Sequence, residues 1–172
     1  MRSIGFWIAG MWLVFSVLWA WGQGEKSACA RLLPRSGVQD WKEVSGSYLY
    51  GKGDGLTAIY NGGYQIYLQH GVQEAAQKLY QRGDVYATVT VHTMKDPATA
   101  RRFVQYWRDS HRNHKPQPLR TTGTGFWIRA DGATTLYWAK GRFFVTVMVT
   151  REDASAFQAG LSLLQAVERQ VR

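Results

Sequence analysis

The chain has 172 residues, 21 Lys and Arg against 12 Asp and Glu, a formal charge of +9 and a single cysteine. That length suits one domain able to bury a core without metal or disulfide, and a lone cysteine excludes a disulfide framework outright.

Arg2 is followed by an uncharged, largely apolar run from Ile4 to Gly24. One positive charge before such a run is the pattern of a secretory signal, and residues 4–21 are also nearly long enough to anchor in a bilayer. Ala28-Cys29-Ala30 has the small-x-small form of a cleavage site, and Ala20-Trp21-Gly22 is a poorer one. Cleavage after Ala30 would remove Cys29 and leave residues 31–172 as a thiol-free domain, fit for an oxidising compartment. Lipidation of Cys29 fits less well, because Lys26 stands where a lipobox has an aliphatic residue. Taking away residues 1–30 removes Arg2, Lys26 and Glu25, so the domain keeps a charge of +8.

Residues 31–53 are rich in turn residues and form an ordered lead-in. From Asp54 the residues Leu56, Ile59, Tyr60, Gly63, Tyr67 and Leu68 follow a 3.6-residue period, which predicts a helix stopped at Gly71. The Gly62-Gly63 pair inside it marks a break or a close backbone approach. Val72–Gln81 mixes helical propensity with a position beside a turn; a hairpin across Arg82-Gly83-Asp84 is the preferred reading. Val85, Ala87, Val89 and Val91 then alternate with Tyr86, Thr88, Thr90 and His92, the period of a half-buried strand.

Asp96 and Pro97 predict an N-cap and first turn. The stripe Ala100, Phe103, Val104, Trp107, His111 defines the inner face of the helix that follows. Arg101, Arg102 and Arg108 take its other faces and, with Arg112, Lys115 and Arg120, form a basic patch opposed by Asp109 alone. In an exported protein such a patch points to anionic lipid or another envelope polyanion; nucleic acid is not expected there, and a plainly solvated face is the simpler alternative. Leu119–Thr150 reads as three strands turned at Asp131-Gly132 and Lys140-Gly141. Asp153–Val171 reads as a closing helix. The fold expected is α+β: an antiparallel sheet of about five strands with helices packed on at least one face.

Three segments carry a family resemblance. They are Leu56–Leu68 with its Asn61-Gly62-Gly63 and Tyr67-Leu68, Val89–Met94 followed by Asp96-Pro97 and Ala100, and Leu136–Val145 with Lys140-Gly141. In order and rough spacing the chain resembles an exported bacterial family known as domain of unknown function 6599, over about Leu33–Val149. Val72 departs from the pattern, where an aromatic residue is expected. The resemblance implies an exported α+β domain and favours a strand over Val72–Gln81. It implies no activity and no catalytic residue.

No constellation of residues specifies chemistry. His111-x-x-His114 could approach a metal, but zinc needs further ligands, and Arg112 and Lys115 would repel a cation. Gly51-Lys52-Gly53-Asp54-Gly55 lacks the ending of a phosphate loop and reads as a turn. Arg82-Gly83-Asp84 matches an adhesion tripeptide but sits where a hairpin must turn. Of 8 Trp, 9 Tyr and 7 Phe, four Trp belong to the leader. Trp127, Tyr137, Trp138 and Phe144 cluster on the expected meander, as the lining of a ligand groove or, more simply, as core. No cofactor is indicated. The leading expectation is a non-enzymatic envelope domain that binds a ligand or partner. The alternatives are an envelope hydrolase, with His92 and Asp84 as testable candidates, and a structural or assembly component anchored by its leader.

Overall fold

The computed structural model describes residues 27–35 and 37–171; the expected leader, with its apolar run over residues 4–21, lies outside them. Among the described residues no helix is long and apolar enough to cross a membrane. The described residues begin with helix α1 (Ala28–Leu32) and two short strands, β1 (Lys42–Glu43) and β2 (Leu49–Lys52). A 3-10 turn (Gly53–Leu56) leads into α2 (Thr57–Tyr60) and α3 (Tyr64–Gln69).

The single helix expected from Asp54 to Gly71 is therefore broken. Asn61 takes a left-handed conformation at φ 34° and Gly62 follows at φ 103°. Two successive residues in that region end an α-helix, and only glycine occupies the second without strain. The periodic apolar residues survive because both halves lie on the same core.

The hairpin reading of the next segment holds. β3 (Val72–Arg82) and β4 (Val85–Met94) pair antiparallel from Val72↔Met94 to Arg82↔Val85. Helix α4 (Pro97–Ser110) follows, its N-cap Asp96 accepting the Thr99 amide at 2.7 Å. After a 3-10 turn (Arg112–His114) come β5 (Gln117–Pro118), β6 (Thr124–Ala130), β7 (Ala133–Lys140), β8 (Phe143–Val149) and α5 (Ala154–Glu168). Asp153 caps α5 through the Ala156 amide.

The strands form one antiparallel sheet in the order β1-β3-β4-β8-β7-β6-β5, with β2 also paired to β3. It has eight strands rather than about five. The three additions, β1, β2 and β5, are two to four residues long, too short to show a period of two.

Strand alternation divides the core. Leu136, Trp138, Val145, Val147 and Val149 face α5 and α1 together with Val85, Ala87, Val89 and Val91. Their neighbours Tyr137, Ala139 and Phe144 face α4 together with Phe126, Ile128 and Met94. Helices thus cover both faces of the sheet. The lead-in closes one end: Trp41 is fully buried, and Tyr80 donates its hydroxyl to the Pro34 carbonyl at 2.7 Å.

Helix α1 belongs to this core. Cys29 and Leu32 are buried against β3 and β4, and the Ser27 hydroxyl accepts the Ala30 amide at 3.2 Å. The cleavage after Ala30 expected from the sequence would divide the helix and strip Cys29 from the packing.

The turn after β2 folds back tightly. A Cβ at Gly51 would lie 2.3 Å from the Gly55 carbonyl oxygen and 2.7 Å from the Leu56 Cα. Both are backbone atoms and cannot rotate aside. Gly51→Ala is expected to cost about 2 kcal/mol or more in urea unfolding, at the upper side of usual overpacking losses. A loss under about 0.5 kcal/mol would show that the turn yields freely.

Candidate functional site

Helix α4 carries the chain from β4 in mid-sheet to the β5–β6 edge, lying across β6, β7 and β8. Phe103 and Val104 are buried beneath it, so Arg101, Arg102 and Arg112 are held outside. Arg108 behaves differently. Half-buried, it donates to the Gly125 carbonyl at 3.1 Å and its guanidinium lies 5.3 Å from the Phe126 ring centroid. That contact holds Arg108 against β6, while Arg101 stays exposed on α4 and Arg112 on the turn after it.

Lys115 and Arg120 lie along the same edge. Lys115 follows the 3-10 turn in a left-handed conformation, and Leu119, beside Arg120, donates its amide to Gly125 at 3.2 Å. Of the nearby carboxylates, Asp109 accepts from Gln105 at 2.8 Å and Glu168 from Thr122 at 2.6 and 2.7 Å, while Asp131 lies within electrostatic reach of His111. Five of the six expected patch residues are exposed, and Arg102 donates to the Thr99 hydroxyl at 2.9 Å on its own helix.

Beside Lys115 the edge opens into a cleft of about 320 Å³ lined by His114, Lys115, Gln117, Trp127, Ile128 and Arg129. Arg129 lies with its guanidinium 4.9 Å from the Trp127 ring centroid, and that ring also meets Phe157 at 4.7 Å. In the sequence His114 stands out only as a partner of His111 for a metal, and Arg129 only as part of a strand, so their meeting at one cleft is not foreseen there.

The four aromatics expected as a groove do not form one. Trp138 lies wholly buried toward α5, while Tyr137 and Phe144 are buried toward α4. Trp127 alone reaches a cleft. Tyr137 and Trp138 are adjacent on a strand, so they must face opposite sides.

Beneath α4 lies a polar pair that the sequence did not announce. His92 is fully buried on β4, and its Nδ1 is 2.9 Å from the Phe144 carbonyl. A carbonyl only accepts, so Nδ1 carries the proton and Nε2 accepts from the Tyr60 hydroxyl. Tyr60 and Tyr67 stack with centroids 3.6 Å apart, and Tyr67 meets the Phe103 ring edge-on at 5.6 Å. Burial holds His92 down at about pKa 4 and pushes the Tyr67 phenol up to about 12. The pair is a neutral hydrogen-bonded strut.

The hydrolase candidates stay apart. Asp84 sits in the β3–β4 turn, paired to Arg151 at 2.8 Å, whereas His92 lies near the far end of β4. The His111 Nε2 is 2.9 Å from the Tyr137 hydroxyl, and among the described residues no group of three potential metal ligands converges. Burial pushes the Cys29 thiol up to about 11, away from nucleophilic use. Gly51–Gly55 precedes two helices of four and six residues and forms the tight turn described above.

No family model matches the chain, so the resemblance to domain of unknown function 6599 gains no support. No curated protein matches it either. Similarity to a solved fold is found: the extracellular domain of PknH from Mycobacterium tuberculosis, at 16% identity and a TM-score of 0.53, covering 82% of this chain and 95% of that one. The likeness is one of fold: an α+β arrangement shared at an identity too low to carry residues across.

Proposed function

We propose that the chain is an exported, non-enzymatic domain that docks on anionic envelope material through the β5–β6 edge. The observation that carries this reading is the exposure of Arg101, Arg112, Lys115, Arg120 and Arg129 on α4, on the turn after it and along the β5–β6 edge, none of them in an ion pair among the described residues. Basic side chains held on a rigid edge gain about 1 kcal/mol each near an anionic surface. Export is supported by the leader-like N-terminus and by the likeness in fold to a domain that is extracellular in its own protein. Because α1 is part of the core, removal of a leader that leaves this core intact would fall before Ala28.

Co-sedimentation with vesicles tests the reading. Vesicles of phosphatidylglycerol and phosphatidylcholine should carry down more protein than phosphatidylcholine alone, and the excess should fall as salt shortens the screening length. The variant Arg101→Gln/Arg112→Gln/Arg120→Gln keeps the leader and should lose most of that excess. Equal sedimentation of variant and wild type would refute docking by this edge.

A further inference from the structure

The cleft beside Lys115 differs from the rest of the basic surface in one respect: it is concave, and nitrogen-bearing side chains line it from two separate elements. Lys115 and His114 come from the turn after α4, and Arg129 comes from β6. Among the described residues no carboxylate forms an ion pair with any of the three. Arg129 is held against the Trp127 ring at 4.9 Å. Its planar donor fork is therefore partly ordered before a ligand arrives, which lowers the cost of binding.

The chemistry of these donors selects the ligand. A guanidinium offers a flat bidentate edge, and an ammonium offers a compact charge approaching from another direction. A carboxylate has two oxygens in one plane and one charge. A phosphate monoester has three oxygens in different directions and about −1.5 to −2 charges near pH 7, so it can meet both donors at once. The Trp127 ring is already engaged by Arg129 and Phe157, so it supports the arginine and offers no sugar platform. At about 320 Å³ and open to solvent, the cleft holds the phosphate and a few neighbouring atoms while the remainder of the ligand extends outward.

We propose that the cleft formed by His114, Lys115, Gln117, Trp127 and Arg129 is a recognition site for a phosphate monoester. It rests on the reading of this edge as an anion-docking surface and names the one position on it that selects among anions. The monoester could belong to a lipid headgroup or to a soluble ester; the chemistry recognised is the same.

The test uses isotopically labelled full-length protein purified from the envelope of an expressing cell. Its Trp127 indole N–H resonance is followed by NMR during titration with inorganic phosphate, glycerol 3-phosphate and acetate at constant ionic strength. The two phosphates should give saturable shifts and acetate should not. Arg129→Gln and Lys115→Gln should each weaken phosphate binding about tenfold, the scale of one charge-assisted pair. Both side chains are exposed, so neither change disturbs the core. Vesicles then separate the sources: a preference for phosphatidic acid over phosphatidylglycerol that Arg129→Gln abolishes assigns the monoester to lipid. Saturation by glycerol 3-phosphate without that preference assigns it to a soluble ester. Identical linear shifts with all three anions, or shifts unchanged in both variants, would overturn the site. Vesicle binding that persists in that event leaves the docking edge standing, whereas phosphate binding without vesicle binding removes the edge and keeps the cleft.

Discussion

Between pH 6.5 and 4 the domain is expected to lose about 3 kcal/mol of stability that a chain lacking His92 does not lose. The imidazole is fully buried, with its Nδ1–H on the Phe144 carbonyl and its Nε2 on the Tyr60 hydroxyl. Burial lowers its pKa from 6.5 to about 4, the backbone hydrogen bond opposing this only in part. The unfolded chain binds a proton on this residue below about pH 6.5, while the folded chain resists until about pH 4. The contribution of neutral His92 is thus fully present above the unfolded value and drains away as pH falls toward the folded one. A difference of some two and a half pKa units corresponds to about 3 kcal/mol. His111, also lowered by burial, shares the sign but is partly exposed and adds less.

The check is urea unfolding from pH 8 to pH 4 for the wild type, His92→Phe and the double variant Tyr60→Phe/His92→Phe. Carboxylates titrate in all three, so the difference between curves isolates the histidine. His92→Phe should be less stable at pH 8, since it strands the Tyr60 hydroxyl and the Phe144 carbonyl, yet flatter between pH 6.5 and 4. The double variant should recover part of the loss at pH 8. Parallel curves for wild type and His92→Phe would mean that the imidazole is not held neutral.

Phe103→Ala should be the most damaging single truncation on the α4 side, at about 3–5 kcal/mol. Phe103 is fully buried and meets Phe144 at 4.7 Å, His70 at 5.0 Å, Tyr67 at 5.6 Å and Trp107 at 5.8 Å between ring centroids. It joins β8, α3 and its own helix, so its loss opens a cavity where three elements meet. Against the 5–15 kcal/mol typical of a domain, that is a large share. Urea unfolding gives the magnitude, and near-UV dichroism should fall as the ring cluster loosens. A loss below about 1 kcal/mol would show that α4 docks by other contacts.

These two residues differ in how far sequence alone reveals them. Phe103 stands in the apolar stripe at 3.6-residue spacing, so its inward position was legible. So were the two meander turns, the Asp96 cap and the β3–β4 turn, each of them set by a few neighbouring residues. His92 falls among the polar alternates of its strand, which reads as solvent-facing. It is buried because α2 and α4 cover that face, and only tertiary structure shows that Tyr60 arrives at its Nε2. The same limit hid the cleft: His114 and Arg129 are separated by a loop and an edge strand, and no local pattern brings them together. The aromatic groove failed for a local reason, since alternation along β7 already assigns Tyr137 and Trp138 to opposite faces.

The sheet order has a consequence for how the chain acquires its structure. β4 lies between its hairpin partner β3 and the last strand, β8, with Ala87 beside Val149. The face toward α5 is also covered by α1, and the Gln170 side chain reaches the Leu32 carbonyl at 3.2 Å. Helices α1 and α5, the first and last among the described residues, therefore seal one core. Contacts so distant along the chain form late, and a polypeptide emerging N-terminus first can assemble the β3–β4 hairpin but cannot complete its centre. Until β8 and α5 are released, β4 lacks its second neighbour and the face toward α5 lacks its cover.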